Sequence, residues 1–231
     1  MSALAHYLEE EGIASVAIAL IRPQAERTRP PRALFVPFEL GRPFGPPRDK
    51  AFQKRVLLAA LRLLEAEAGP VLLADFPDDD PREAPDQRWH PPIAPSDDLR
   101  REIAALAAPY DRSCTERGRT TVGLSGLAPQ AAAEYVAAWL RGSPPPSPVA
   151  DLSPVLCRRF AVDDLKAYAL EAAIAGGGHP SSRQLGDWLW NRTATGAAIR
   201  ALRQSLLSDA DERAKAVAAF FVPALRVAPG G

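Results

Sequence analysis

The chain has 231 residues, 47% of them apolar and 24% charged, the balance of a globular protein large enough to bury a core. Lysine plus arginine equals aspartate plus glutamate, 28 each, so no net field draws in nucleic acid or an acidic membrane surface. The apolar runs fall short of a bilayer crossing, the N-terminus lacks a secretion signal's basic-then-apolar order, and two distant cysteines, Cys114 and Cys157, suggest no zinc cage or disulfide framework, which makes the cytoplasm the expected location.

Residues 2–11 read as a helix that Ser2 can cap, with Leu4, Tyr7 and Leu8 spaced for one face and Gly12 at its end. Residues 13–21 are almost continuously apolar or small, as in a strand covered on both faces of a parallel sheet. A short helical crossover is expected around residues 24–28, then a second strand, "RALFVPF", ending at Phe38. Asp49 is placed to cap a helix over 50–68, whose apolar stripe is Phe52, Val56, Leu57, Ala60, Leu61 and Leu64, with Gly69 and Pro70 ending it. "VLLADF" gives a third strand, and the whole spells a parallel α/β lobe. The proline- and aspartate-rich stretch "PDDDPREAPDQRWHPPIAP" reads as a loop too polar to pack by itself.

Ser96 or Asp97 caps a helix to about Ala108, "RTTVGLSG" predicts a fourth strand, and Pro129 opens a helix through Leu140. "GSPPPSPVADLSP" has the composition of a stiff linker. Beyond it only helices are expected: 162–175, a glycine break at 176–178, 181–190 with Ser181 and Gln184 at capping-box spacing, 197–207 and 212–221. The expected fold is α/β, with a small parallel Rossmann-like sheet and flanking helices over 1–142. A proline-rich linker over 143–158 and an all-helical domain over 159–231 complete it.

Several stretches bear on chemistry. "GLSGL" imitates the turn that carries a nucleophilic serine, but Leu127 replaces its last glycine and His6, His90 and His179 offer no obvious base. Ser125 therefore reads as part of a plain turn, or of one offering backbone amides to an anion. "DFPDDDP" clusters Asp75, Asp78, Asp79 and Asp80; such oxygens suit magnesium or calcium, yet acids between prolines more often form a solvated loop, so no metal and no cofactor is expected. Ligands of open parallel sheets gather outside the carboxyl ends of the strands, where Arg22, Glu39, Gly41, Arg42 and Asp75 collect. A guanidinium there can grip a small carboxylate; equally, Glu39 can pair with a surface arginine in an ordinary loop. Trp188 and Trp190 read as core or interface aromatics.

"HYLEEEGIASVAIALI", "FVPFELGRPFGPP" and "AFQKRVLLAALRLLEA" together resemble the carboxyl-terminal part of the selenoprotein B family, subunits of the glycine, sarcosine, betaine and D-proline reductases. The likeness covers roughly residues 5–76, with Gly41, Arg42 and Pro43 on the family's loop motif. It implies an oxidoreductase-type subunit handling a small amino-acid-like ligand. In the family a selenocysteine or cysteine, on a loop before the first of these helices, attacks the carbon bearing the amine, and a partner selenoprotein receives the product. That loop would precede Ser2, and no residue of this sequence occupies the position. The resemblance thus implies an incomplete or partner-dependent reductase subunit, with another subunit or a second copy as partner. The alternative is a scaffold or interaction subunit that keeps the family shape without catalysis.

Overall fold

The computed structural model describes residues 2–66, 71–81, 84–143, 145–150, 152–223 and 226. The chain is mixed α/β and divides into two compact units, Met1–Ala84 and Pro85–Gly231.

In the first unit three short strands, β1 (Ala17–Ala19), β2 (Arg32–Phe35) and β3 (Leu72–Asp75), form a parallel sheet in the order β1-β2-β3. Its helices are α1 (Ser2–Glu10), α2 (Arg22–Thr28) and α3 (Lys50–Arg62), the last running into a 3-10 turn, Leu63–Glu65. Strand alternation sends Leu34 and Val36 to the face where α3 lays down Phe52, Val56 and Ala60. Asp49 caps α3 as expected, accepting from the Phe52 amide at 3.0 Å. The other expectations for α3 divide. Leu57 and Leu61, assigned to the buried stripe, are exposed, because the face set by Phe52, Val56 and Ala60 lies one residue round the helix. Gly69 and Pro70 lie outside the described residues. In α1 the same kind of correction applies: Leu4 and Tyr7 are exposed and Ala5 is buried. The Ser2 hydroxyl bonds Thr28 Oγ1 at 2.8 Å.

Among the described residues of the second unit every regular element is a helix: α4 (Leu99–Ala105), α5 (Ala107–Arg117), α6 (Pro129–Leu140), α7 (Pro154–Ile174), α8 (Ser182–Arg192), α9 (Ala194–Leu207) and α10 (Glu212–Ala218). Helix α7 is its axis, with Val162, Leu165, Tyr168, Ala169 and Ala172 all buried. Helices α5 and α6 pack along α7, so residues 85–142, expected with the sheet, fold with the helices. The proline-rich stretch expected as the linker lies inside this unit, and its Pro154 opens α7, where the missing N–H costs no helical bond. The expected single helix to Ala108 is two helices, broken at Leu106. Pro109, whose ring excludes the carbonyl four residues back, removes the bond to Ala105. The cap of α4 is Asp98, which accepts from the Arg101 amide at 2.8 Å, and neither Ser96 nor Asp97.

The expected fourth strand is absent: residues 119–126 are turn and coil. Thr120, Thr121 and Val122 suit a strand by type, but the segment's donors go to side chains of α7 instead of a neighbouring backbone. Glu171 accepts from the Thr121 amide and hydroxyl at 2.8 and 2.7 Å, and Asp164 from the amides of Gly123, Leu124 and Ser125 at 2.8–2.9 Å. The loop expected to be too polar to pack is instead anchored at several points: Asp86 exchanges hydrogen bonds with Gln184 at 2.8 and 3.1 Å and accepts from the His179 amide at 2.7 Å. Trp89 is buried, donates to the Ala173 carbonyl at 2.9 Å and meets Trp188 edge-on. Trp188 and Trp190 are core residues, as expected. The capping box of Ser181 and Gln184 is formed at the start of α8. Among the described residues no helix is long and apolar enough to cross a membrane.

Candidate functional site

The carboxyl edge of the sheet rests on three rings. Phe38, beyond β2, Phe76, beyond β3, and Phe52 of α3 form a triangle with centroids 5.5–5.8 Å apart. The loop after Phe38 is pinned to it at Gly45, where φ is +80° and a Cβ would stand 2.5 Å from the Phe52 ring. No other residue type fits that approach. The sequence between Phe38 and Asp49 is thereby tied to the strand ends.

Arg22 opens α2 just beyond β1. Its guanidinium lies 4.8 Å from the Phe35 ring centroid at the end of β2 and pairs with Asp75 at the end of β3. It also bonds Glu26 at 3.2 Å, so one side chain spans all three strand ends while facing two carboxylates. Glu39 and Arg42 pair at 3.6 Å within their own loop, and Gly41 between them turns at φ +90° with nothing against it. Four of the five residues expected at this edge therefore form two ion pairs, Arg22 with Asp75 and Arg42 with Glu39; no hydrogen bond or ion pair joins one pair to the other among the described residues. Of the remaining aspartates, Asp78 pairs with Arg55 and Asp80 is buried.

A cavity of about 190 Å³ lies against β1, lined by Ala17, Ile18, Ile21, Gln24 and Ala25, with Leu40 reaching in from the loop. Its walls are mainly apolar. The volume is below the usual range of drug-sized sites, about 300–1,000 Å³, and suits a small guest.

In the second unit, the "GLSGL" turn does hold an anion, and that anion is the chain's own. Ser125 is fully buried, and its hydroxyl donates to Asp164 at 2.5 Å and accepts from the Leu127 amide at 3.2 Å. The amides of this turn already serve Asp164, and Ser125 has no access to solvent. Cys157 is buried on α7 and Cys114 half-buried on α5. His6 bonds the Arg29 carbonyl at 2.9 Å.

Three buried carboxylates escaped the sequence reading: Glu102, Asp164 and Glu171. Glu102 holds the first turn of α9 through the amides of Ala194 and Thr195 and the Thr195 hydroxyl, at 2.6–2.9 Å. A signal for the other two existed, since positions 164 and 171 are seven apart and share the α7 face that carries Leu165, Tyr168 and Ala172. For Glu171, burial pushes the pKa up, but the hydrogen bonds from Thr121 and Thr120 outweigh it, and the value falls below the ordinary 4.5. A lowered folded pKa means stability that is present above the unfolded value and lost as pH falls through the folded one. Glu171→Gln is therefore expected to unfold with a flatter pH dependence than the parent between about pH 5 and 3, measured by urea titration at each pH. An unaltered acid slope would remove Glu171 as its source. No known protein family, curated protein or solved structure matches this chain.

Proposed function

We propose that the first unit is a Rossmann-like lobe of the selenoprotein B reductase type, and that the chain is a partner-dependent reductase subunit presenting a small amino-acid carboxylate at its strand ends. The observation that carries this reading is the strand edge itself. Three parallel strands in chain order end around Arg22, the loop after β2 that resembles the family motif carries the Arg42–Glu39 pair, and Leu40 of that loop lines a small apolar cavity along β1. Neither cysteine lies in the sheet unit, so the attacking sulfur or selenium belongs to a group outside it.

The pairing of each arginine bears on its role. An exposed ion pair is worth about 0–1 kcal/mol, so an incoming carboxylate displaces Glu39 from Arg42 at little cost. Arg22, held by two acids and an aromatic ring, is the worse recruiter and serves to fix the edge. Titration with glycine, sarcosine, betaine and D-proline by calorimetry is expected to give saturable binding. Arg42→Ala abolishes it, and Glu39→Gln strengthens it several-fold by freeing the guanidinium. Binding that is unchanged in Arg42→Ala removes that residue from the site.

A second reading has its own support: with both arginines already neutralised, the lobe can act as a scaffold alone. No saturable binding by any of the four ligands, together with copurification of a second chain, would favour it.

A further inference from the structure

The second unit contains a groove far larger than the cavity beside β1. Its volume is about 890 Å³, bounded by the segment 93–97, by α4 and by the junction of α8 with α9. That volume lies within the range typical of small-molecule sites. Its floor is apolar: Ile93, Pro95, Ala105, Trp190, Ala194 and Ala197.

Charge at the groove is unequally committed. Glu102 is part of the wall, but its carboxylate is buried and turned to three donors at the start of α9. Two guanidinium groups, Arg101 from α4 and Arg192 from the end of α8, line the groove; neither has an ion pair or side-chain hydrogen bond among the described residues, and the Arg101 charge also acts on the Asp98 carboxylate. Arg200, which is not part of the lining, bonds the lining residue Asn191 at 3.4 Å and lies 5.9 Å from the Trp190 ring. Among the described residues of the lining, Asp97 is the acid whose carboxylate has no such donors.

We infer that this groove binds an organic carboxylate with an apolar body, its acid held by Arg101 and Arg192 and its chain laid along Ile93, Ala105 and Trp190. Guanidinium groups supplied by two separate helices suit a planar carboxylate, which offers two oxygens. The apolar floor gives affinity only to a ligand that also has a hydrophobic part, so acetate alone gains little. This site is independent of the one proposed at the strand ends. Its residues all lie beyond Pro85.

Octanoate is the probe, followed by chemical-shift changes at the Ala105 and Ala197 amides and the Trp190 indole of the full chain. Saturable binding is expected, with acetate and octanol each at least about tenfold weaker. Arg101→Ala and Arg192→Ala should each weaken octanoate about tenfold, the worth of one charge-assisted hydrogen bond. Both residues are exposed, so the variants are expected to fold, which unchanged thermal midpoints will verify. Ala105→Leu, which fills the floor, should also weaken octanoate while leaving the midpoint in place. The inference is overturned if octanol binds as well as octanoate, if the arginine double variant binds normally, or if no shift saturates. It is also overturned if a glutamate- and leucine-rich peptide shifts these signals at concentrations where octanoate does not, which would make the groove a protein-docking surface.

Discussion

Replacing Asp164 with alanine is expected to cost about 3–4 kcal/mol of stability, the largest loss predicted for any single carboxylate here. The side chain is 1% exposed and takes four hydrogen bonds from one turn, three from amides and one from the Ser125 hydroxyl. These donors differ in what they lose. Gly123 and Leu124 are exposed, so their amides can turn to water; Ser125 is fully buried, and its N–H and O–H would remain without an acceptor. Each stranded buried donor costs about 1–3 kcal/mol, which sets the magnitude. Asn at this position keeps one acceptor oxygen, and the Ser125 hydroxyl can rotate to accept from the new amide, so Asp164→Asn is expected to lose about half as much. Urea unfolding of the two variants beside the surface substitution Glu116→Ala, at an exposed position and expected within about 0.5 kcal/mol of the parent, measures this. A loss below about 1 kcal/mol for Asp164→Ala would mean that the turn holds its shape without the carboxylate.

The same turn marks where the sequence could and could not be read. The three strands and their order were legible because their pattern is local, each being short, apolar and followed by a proline, although β1 spans only Ala17–Ala19 of the expected 13–21 and is half-buried, not covered on both faces. Asp49, Pro129 and the Ser181–Gln184 box were legible for the same reason: the cap and the group it satisfies are neighbours in sequence. Residues 119–126 were not, because their acceptors lie about 40–50 positions further on, at Asp164 and Glu171. β-branched residues report only that a backbone is extended, not what its amides meet. The exposed Leu57 and Leu61 illustrate a different failure, since a helix with leucines all round gives no unique face. At the candidate site, strand order in the sequence puts Arg22 and Asp75 at the same sheet edge, while the pairing that neutralises them depends on side-chain reach. The groove was invisible in sequence because its walls come from segments about 90 residues apart.

Gly196→Ala is the second large effect, and two familiar rules disagree about its sign. By helix propensity alone, alanine in the first turn of α9 should stabilise by up to about 1 kcal/mol. The packing says otherwise. A Cβ at Gly196 would lie 2.1 Å from the Leu189 carbonyl oxygen and 3.1 Å from the Trp190 Cα. Both are backbone atoms of α8, which cannot swing aside as a flexible side chain can. The same Leu189 oxygen accepts from the Thr193 hydroxyl at 2.6 Å, and Thr193 in turn accepts from the Gly196 amide at 2.9 Å, so the methyl would enter the joint that couples the two helices. Overpacking of this kind costs about 1–3 kcal/mol or more, which exceeds the propensity gain, and a net loss of about 2 kcal/mol is expected. Denaturant unfolding decides between the rules, since a stabilised variant would mean that the helices do not meet this closely. A second readout follows from position. Thr193, Ala194 and Ala197 line the groove on one side of this joint, so spreading α8 from α9 should weaken octanoate under conditions where the variant is still folded, although residue 196 does not line the groove.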